Sequence, residues 1–145
     1  MEKENRMQIE FDSNSVNEGF ARVTVAAFAA QLNPTLDEIE DIKTAVSEAV
    51  TNAIIHGYEE KQGAVKVTCT IGSNQVHITV TDNGKGIDDV EKAKTPFYTT
   101  RPELERSGMG FSFMEAFMDE VTVTSVVGEG TTVTMTKILA KRKEY

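Results

Sequence analysis

The chain has 145 residues, of which 39% are hydrophobic, which suits a single domain with one core. Fifteen basic residues against 23 acidic ones leave a net charge of −8. Such a balance, without a basic stripe, argues against direct nucleic-acid binding, where neutralised phosphates supply most of the affinity. The single cysteine, Cys69, excludes an intramolecular disulfide and a multi-cysteine zinc site and fits a reducing cytoplasm.

The first element, "MQIEFD", alternates Met7, Ile9 and Phe11 with polar neighbours and reads as a strand. Next, "SNSVNEGFARVTVAAFAAQL" reads as a helix capped by Ser13 or Ser15, with Val16, Phe20, Val23, Ala27 and Ala30 as its apolar stripe. Asn33-Pro34 stops it, because a residue before proline avoids the helical region. Thr35 and Glu38 have capping-box spacing for a second helix, whose stripe is Ile39, Ile42, Val46, Ala49 and Ala53 and whose expected terminator is Gly57.

The β-branched runs "GAVKVTCTIG" and "QVHITVTDNG", joined by "GSN", signal a hairpin, with Cys69 as a small strand residue. A long, weakly periodic connection follows, "GKGIDDVEKAKTPFYTTRPELERSGMG", of the kind that is usually functional. "GFSFMEAFMDE" reads as a third helix, and "VTVTSVV" and "TTVTMTKIL", linked by "GEG", as two last strands before a charged tail. This order predicts one α+β domain over residues 1–145. It would be a two-layer sandwich, with a mixed, mainly antiparallel sheet covered by helices on one face. Thr68, Thr70, Thr79, Thr81, Thr122 and Thr124 would line the open face. No apolar run approaches membrane-spanning length and the N-terminus lacks a signal-peptide stretch, so a cytoplasmic protein is expected.

Three patches carry candidate chemistry. In "SEAVTNAIIHG", Glu48 and Asn52 are one turn apart, roughly 80° to 120° from the centre of the apolar stripe. They are either two solvated polar residues or a carboxylate and an amide aimed into a site. In "TDNGKG", Asp82 ends a strand, and Gly84 and Gly86 follow. That is ordinary turn chemistry, or a fixed acceptor for the exocyclic amine of adenine with bare backbone for a flat ligand. In "RSGMGFSF", Gly108 and Gly110 precede a helix whose unpaired N–H groups can hold phosphate. Neither a Walker loop nor a dinucleotide fingerprint occurs. Asn52 could then offer an amide oxygen to a Mg²⁺ bound by nucleotide phosphates, with Glu48 as general base beside the terminal phosphate.

"ExxxNAIIHG", "DNGKG", "SGMGF" and "GEGTTV" together resemble the four boxes of the GHKL ATPase superfamily, which includes gyrase and the histidine kinases. The resemblance covers about residues 6 to 138. "FARVTVAAFAAQL", "VSEAVTNAIIHGY", "PFYTTRPELERSGMGF" and "MEAFMDEVTV" further resemble the anti-sigma factor serine kinases of sporulation and stress response. The resemblance implies a dimeric Mg-ATP-dependent kinase that silences an RNA-polymerase sigma factor, sporulation sigma F by the closer likeness. It would also phosphorylate a serine of a small anti-anti-sigma protein, and it would bind ATP or ADP.

By the same resemblance, Glu48 is the catalytic base, Asn52 the Mg²⁺ ligand and Asp82 the adenine acceptor, helped through water by Thr132 or alternatively Thr131. Gly84 and Gly86 shape the pocket floor. Thr99, Arg106, Ser107, Gly108, Met109, Gly110 and Phe111 form the lid and phosphate contacts. Arg22 meets the protein partners, and the first strand and helix help form the dimer. The lid, residues 95–107, holds Pro96, Pro102, Arg101 and Arg106 and is expected to close over phosphate. His56 and His77 are read as structural. Other functions left open are a nucleotide-dependent sigma-binding regulator without transfer and a stand-alone histidine-kinase-type ATPase domain.

Overall fold

A computed structural model describes residues 4–58, 62–87, 89–90 and 110–140. Five strands form one sheet: β1 (Asn5–Asp12), β2 (Ala64–Gly72), β3 (Gln75–Asp82), β4 (Glu120–Val126) and β5 (Gly130–Ile138). Their order across the sheet is β1-β2-β3-β5-β4, and all four pairings are antiparallel. Among the described residues, the helices α1 (Asn17–Ala29), α2 (Leu36–Asn52) and α3 (Gly110–Phe117) form the second layer. α2 lies between α1 and α3 and packs on both. Among the described residues no helix is long and apolar enough to cross a membrane.

Strand alternation sets the two faces of the sheet. Val65, Val67, Cys69 and Ile71 on β2, Val76, Ile78 and Val80 on β3, and Val133 and Met135 on β5 are buried against the helices. Thr68, Thr70, Thr79, Thr81, Thr122 and Thr124 point the other way, as the alternation predicts. His77 shares that open face and its Nδ1 lies 3.0 Å from Thr136 Oγ1. The β2–β3 turn carries Ser73 and Asn74 at φ 51° and 59°, the paired left-handed conformation of a two-residue hairpin.

α2 forms for the expected reasons. Thr35 Oγ1 accepts from Glu38 N at 3.1 Å, and Glu38 Oε1 accepts from Thr35 N at 2.7 Å, which completes the capping box. Ile42, Val46, Ala49 and Ala53 are buried, with Ala45 and Val50 beside them. The preceding short 3₁₀ turn (Ala30–Leu32) ends at Asn33, which adopts the left-handed conformation. At the far end the helical segment runs to Gly57, as expected, but its last turn is not α-helical. α-Helical geometry stops at Asn52, and Ala53–Gly57 form a π-turn. Such turns insert a residue and are frequent at functional sites.

α1 departs further from expectation. Neither Ser13 nor Ser15 caps it, and no side chain takes their place; Asn14 Oδ1 accepts from Val16 N just ahead of the helix, and Ser13 Oγ accepts from Gly63 N. The apolar stripe noted in the sequence lies outward: Val16 is 74% exposed, Phe20 54% and Val23 60%, and Ala27 and Ala30 are exposed too. Ala21, Val25 and Ala29 face the core. α1 has two apolar faces, and the one with smaller side chains suits the close contact with α2.

Lys137 fastens the helical layer to the sheet. Its Nζ lies 2.9 Å from Asp41 Oδ2 on α2 and donates to the Phe117 carbonyl at 2.7 Å. A cation placed on the last carbonyls of α3 also complements that helix's negative end.

Candidate functional site

The best-defined part of the site is the end of β3. Asp82 is 5% exposed. It stands in one cross-sheet row with Val65, Thr131 and Ser125. Its Oδ1 accepts from Gly84 N at 2.9 Å, and the Thr131 backbone N–H also donates to the carboxylate. Burial pushes the carboxyl above its ordinary value of 3.8, against the opposing effect of those two hydrogen bonds. A carboxylate offers about four lone-pair sites, and two backbone donors leave acceptor capacity for a ligand N–H.

Glycines let the surrounding backbone close on this acid. A Cβ on Gly57 would lie 2.8 Å from Asp82 Cγ, and one on Gly84 would lie 1.9 Å from the Gly57 carbonyl oxygen. A Cβ on Gly130 would meet the Asp82 carbonyl oxygen at 2.1 Å. Gly57 ends the helical segment, as expected from its position, and its lack of a side chain is required by its contact with Asp82. Gly86 adopts φ 78°, a conformation open chiefly to glycine, and packs on the Val126 carbonyl. The turn is tied to its neighbours by Lys85 N donating to Gly57 O at 2.8 Å and Ile87 N donating to Ser125 Oγ at 2.7 Å.

Thr132 is a correction. Its cross-strand partners are Thr81 and Thr124, so it faces the open side of the sheet, away from Asp82. Thr131 is the threonine beside Asp82: it is buried, and its Oγ1 lies 2.9 Å from Ser125 Oγ. A one-residue choice along a strand reverses the face.

Glu48 and Asn52 are both half-buried on α2, Asn52 at the junction with the π-turn. The segment that carries them thus ends, at Gly57, against the Asp82 carboxylate. Gly110 opens α3, and Phe111 is buried in the core. Thr99, Arg106, Ser107, Gly108 and Met109, with the expected lid at 95–107, lie outside the described residues. Arg22 is half-exposed on α1, and its Nε lies 3.7 Å from Glu18 Oε1. The Glu18 carboxylate in turn accepts from the buried Ser47 hydroxyl on α2.

No group of three or more His, Cys, Asp or Glu residues arranged to hold a metal occurs among the described residues. A Mg²⁺ that keeps its waters and binds mainly nucleotide phosphate needs no such cage, and one amide oxygen at Asn52 fits that donor chemistry. Gly57, Tyr58, Gly63, Gly130 and Ser125 were missed from sequence. "GEG" and "HGY" lie in stretches that carry the family resemblance, but the contacts of these individual residues with the Asp82 turn emerge only from the fold.

The fold and this glycine-lined acid together define a class. Residues 10–137 match the family model described as a histidine kinase-like ATPase domain. The structure is similar to that of full-length ShkA in complex with AMPPNP, with a TM-score of 0.57 and 18% sequence identity. That likeness covers 88% of this chain but 31% of ShkA, and it bears on the fold alone.

Nearer relatives are similar along almost their whole length. The anti-sigma F factor of Anoxybacillus flavithermus is 61% identical, with 96% of each chain covered. That of Thermoanaerobacter sp. (strain X514) is 58% identical, covering 99% of this chain and all of the relative. That of Bacillus subtilis (strain 168) is 57% identical over 96% of each. The chain belongs to the histidine kinase-like ATPase domains and, within them, to the family of the anti-sigma F factors.

Proposed function

We propose that this chain is a single-domain anti-sigma factor, residues 1–145, that works in the cytoplasm as a homodimer. It binds ATP and ADP, holds an RNA-polymerase sigma factor (sigma F, as its relatives' name suggests) inactive, and phosphorylates a serine of an anti-anti-sigma protein. It contacts neither nucleic acid nor membrane directly. The observation that carries the nucleotide reading is Asp82: a buried carboxylate with spare acceptor capacity, flanked by backbone that glycines leave bare.

In this reading the adenine amine donates to Asp82, and Thr131 helps through its hydroxyl. The phosphates run toward the N-terminus of α3, where Gly108 and Gly110 leave N–H groups free to donate and Thr99, Arg106, Ser107, Met109 and Phe111 complete the lid. The Asn52 amide oxygen would hold Mg²⁺ beside the phosphates, and the ion would supply charge neutralisation for the transferred group. Glu48 accepts the proton of the attacking serine hydroxyl. The serine oxygen forms its bond to the γ-phosphorus, the β,γ-bridging P–O bond breaks, and ADP leaves with that electron pair.

Arg22, half-exposed and held by Glu18, presents a cation to an acidic group of the partner proteins. The exposed residues Val16, Phe20 and Val23, next to the edge strand β1, supply apolar area for the dimer.

The test is incubation with γ-phosphate-labelled ATP, Mg²⁺ and candidate sigma and anti-anti-sigma proteins. Acid-stable label on the anti-anti-sigma protein is expected. Glu48→Gln should abolish transfer while leaving ADP binding nearly intact. Acid-labile label would point to histidine phosphorylation, and binding without transfer by the unaltered chain would reduce the function to a nucleotide-dependent regulator.

A further inference from the structure

Tyr58 directly follows the π-turn, and its side chain is buried. Its hydroxyl donates to the Ala64 carbonyl at 2.6 Å and accepts from the Asn83 backbone N–H at 2.8 Å. One oxygen thus bridges the first residue of β2 and the residue after Asp82. The ring reaches this position across Gly63, where an added Cβ would lie 2.2 Å from its Cε1. Gly63 is in turn held to Ser13 by two hydrogen bonds, at 2.8 and 3.0 Å.

On its other side, Gly57 accepts from Lys85 N and lies against the Asp82 carboxylate. Gly57 and Tyr58 therefore grip the turn at Asp82, Asn83 and Lys85. Asn83 itself is exposed, so without the hydroxyl its N–H would turn to water and the turn would lose its inner anchor.

We propose that Tyr58 is a positioning residue for purine recognition. Its hydroxyl fixes Asn83, and so keeps the Asp82 carboxylate in the orientation that selects a ring amine over a ring carbonyl. Gly63 serves the same end by admitting the tyrosine ring. The inference rests on the reading of Asp82 as the purine acceptor. Tyr58 need not touch the nucleotide.

The experiment titrates ADP and IDP, which differ in amine against carbonyl at the same purine carbon, into the full chain and its variants. The unaltered protein should prefer ADP. Tyr58→Phe should narrow the ADP-over-IDP preference by about fivefold to tenfold, the size expected when a buried hydrogen-bonded anchor is lost. Gly63→Ala should narrow it too, with the hydroxyl still present. Ile42→Val, which thins the core away from the turn, should lower stability and leave the preference unchanged, which separates positioning from general loosening.

If both Tyr58→Phe and Gly63→Ala keep the full preference, the proposal is overturned while the Asp82 reading stands. If Asp82→Asn also leaves the preference intact, the purine reading itself falls, and this inference with it.

Discussion

α1 and α2 look alike in sequence, each with an apolar stripe at helical spacing, yet they use those stripes in opposite ways. α2 buries Ile42, Val46 and Ala49 beneath its neighbours, and Ala53 continues the stripe into the π-turn. α1 turns Val16, Phe20 and Val23 outward and packs through Ala21, Val25 and Ala29. Periodicity reports that a helix has an apolar face; it does not say what covers that face. The helix at the centre of the layer is anchored on both flanks, and its far end is built against Asp82. The helix at the rim keeps larger apolar side chains than the core needs, as a contact surface would.

Substitutions can break or sharpen this contrast. The largest effect is expected for Ile42→Ala, which should cost about 2–5 kcal/mol in chemical denaturation because it removes a fully buried side chain from a filled core. Next comes the acid at the end of β3. The folded-state carboxyl of Asp82 titrates above 3.8, so between that pH and its raised value the folded state holds a proton that the unfolded state has released. Its contribution to stability is therefore favourable at low pH and is lost as pH rises through that window. The stability of Asp82→Asn relative to the unaltered protein should rise over the same interval, measured by urea unfolding across pH; a flat difference would remove the burial argument.

Thr35→Ala should cost about 1 kcal/mol through loss of the capping box. The smallest effect is expected on the outer face of α1. Val23→Ser should change monomer stability by less than about 0.5 kcal/mol, while weakening self-association in sedimentation experiments. A large loss of stability there would mean that this face is core after all.

Much of the architecture was legible because α2, the β2–β3 hairpin and the threonine face each obey one local rule. Thr35 and Glu38 cap, Ser73 and Asn74 turn, and β-branched residues alternate. What local rules could not reach was long-range fit. Gly57 looks like a helix end, but its lack of a side chain is set by a carboxylate 25 residues away in sequence. Thr132 stands ahead of Thr131 in the sequence reading, and only the register, which pairs Thr131 with Asp82 and Thr132 with Thr81, reverses that order. The serines before α1 do not cap it: the helix has no side-chain cap, and the Ser13 hydroxyl is engaged with Gly63. Asp82 itself stood out because an acid, two glycines and a strand end fall within five residues.

The most direct measurement is calorimetric titration of ADP into the unaltered protein and Asp82→Asn at neutral pH, with circular dichroism to show that both are folded. A buried acceptor that reads the purine amine predicts clear binding by the first and a loss of at least about tenfold in affinity by the second. Equal affinity in two equally folded proteins would contradict it.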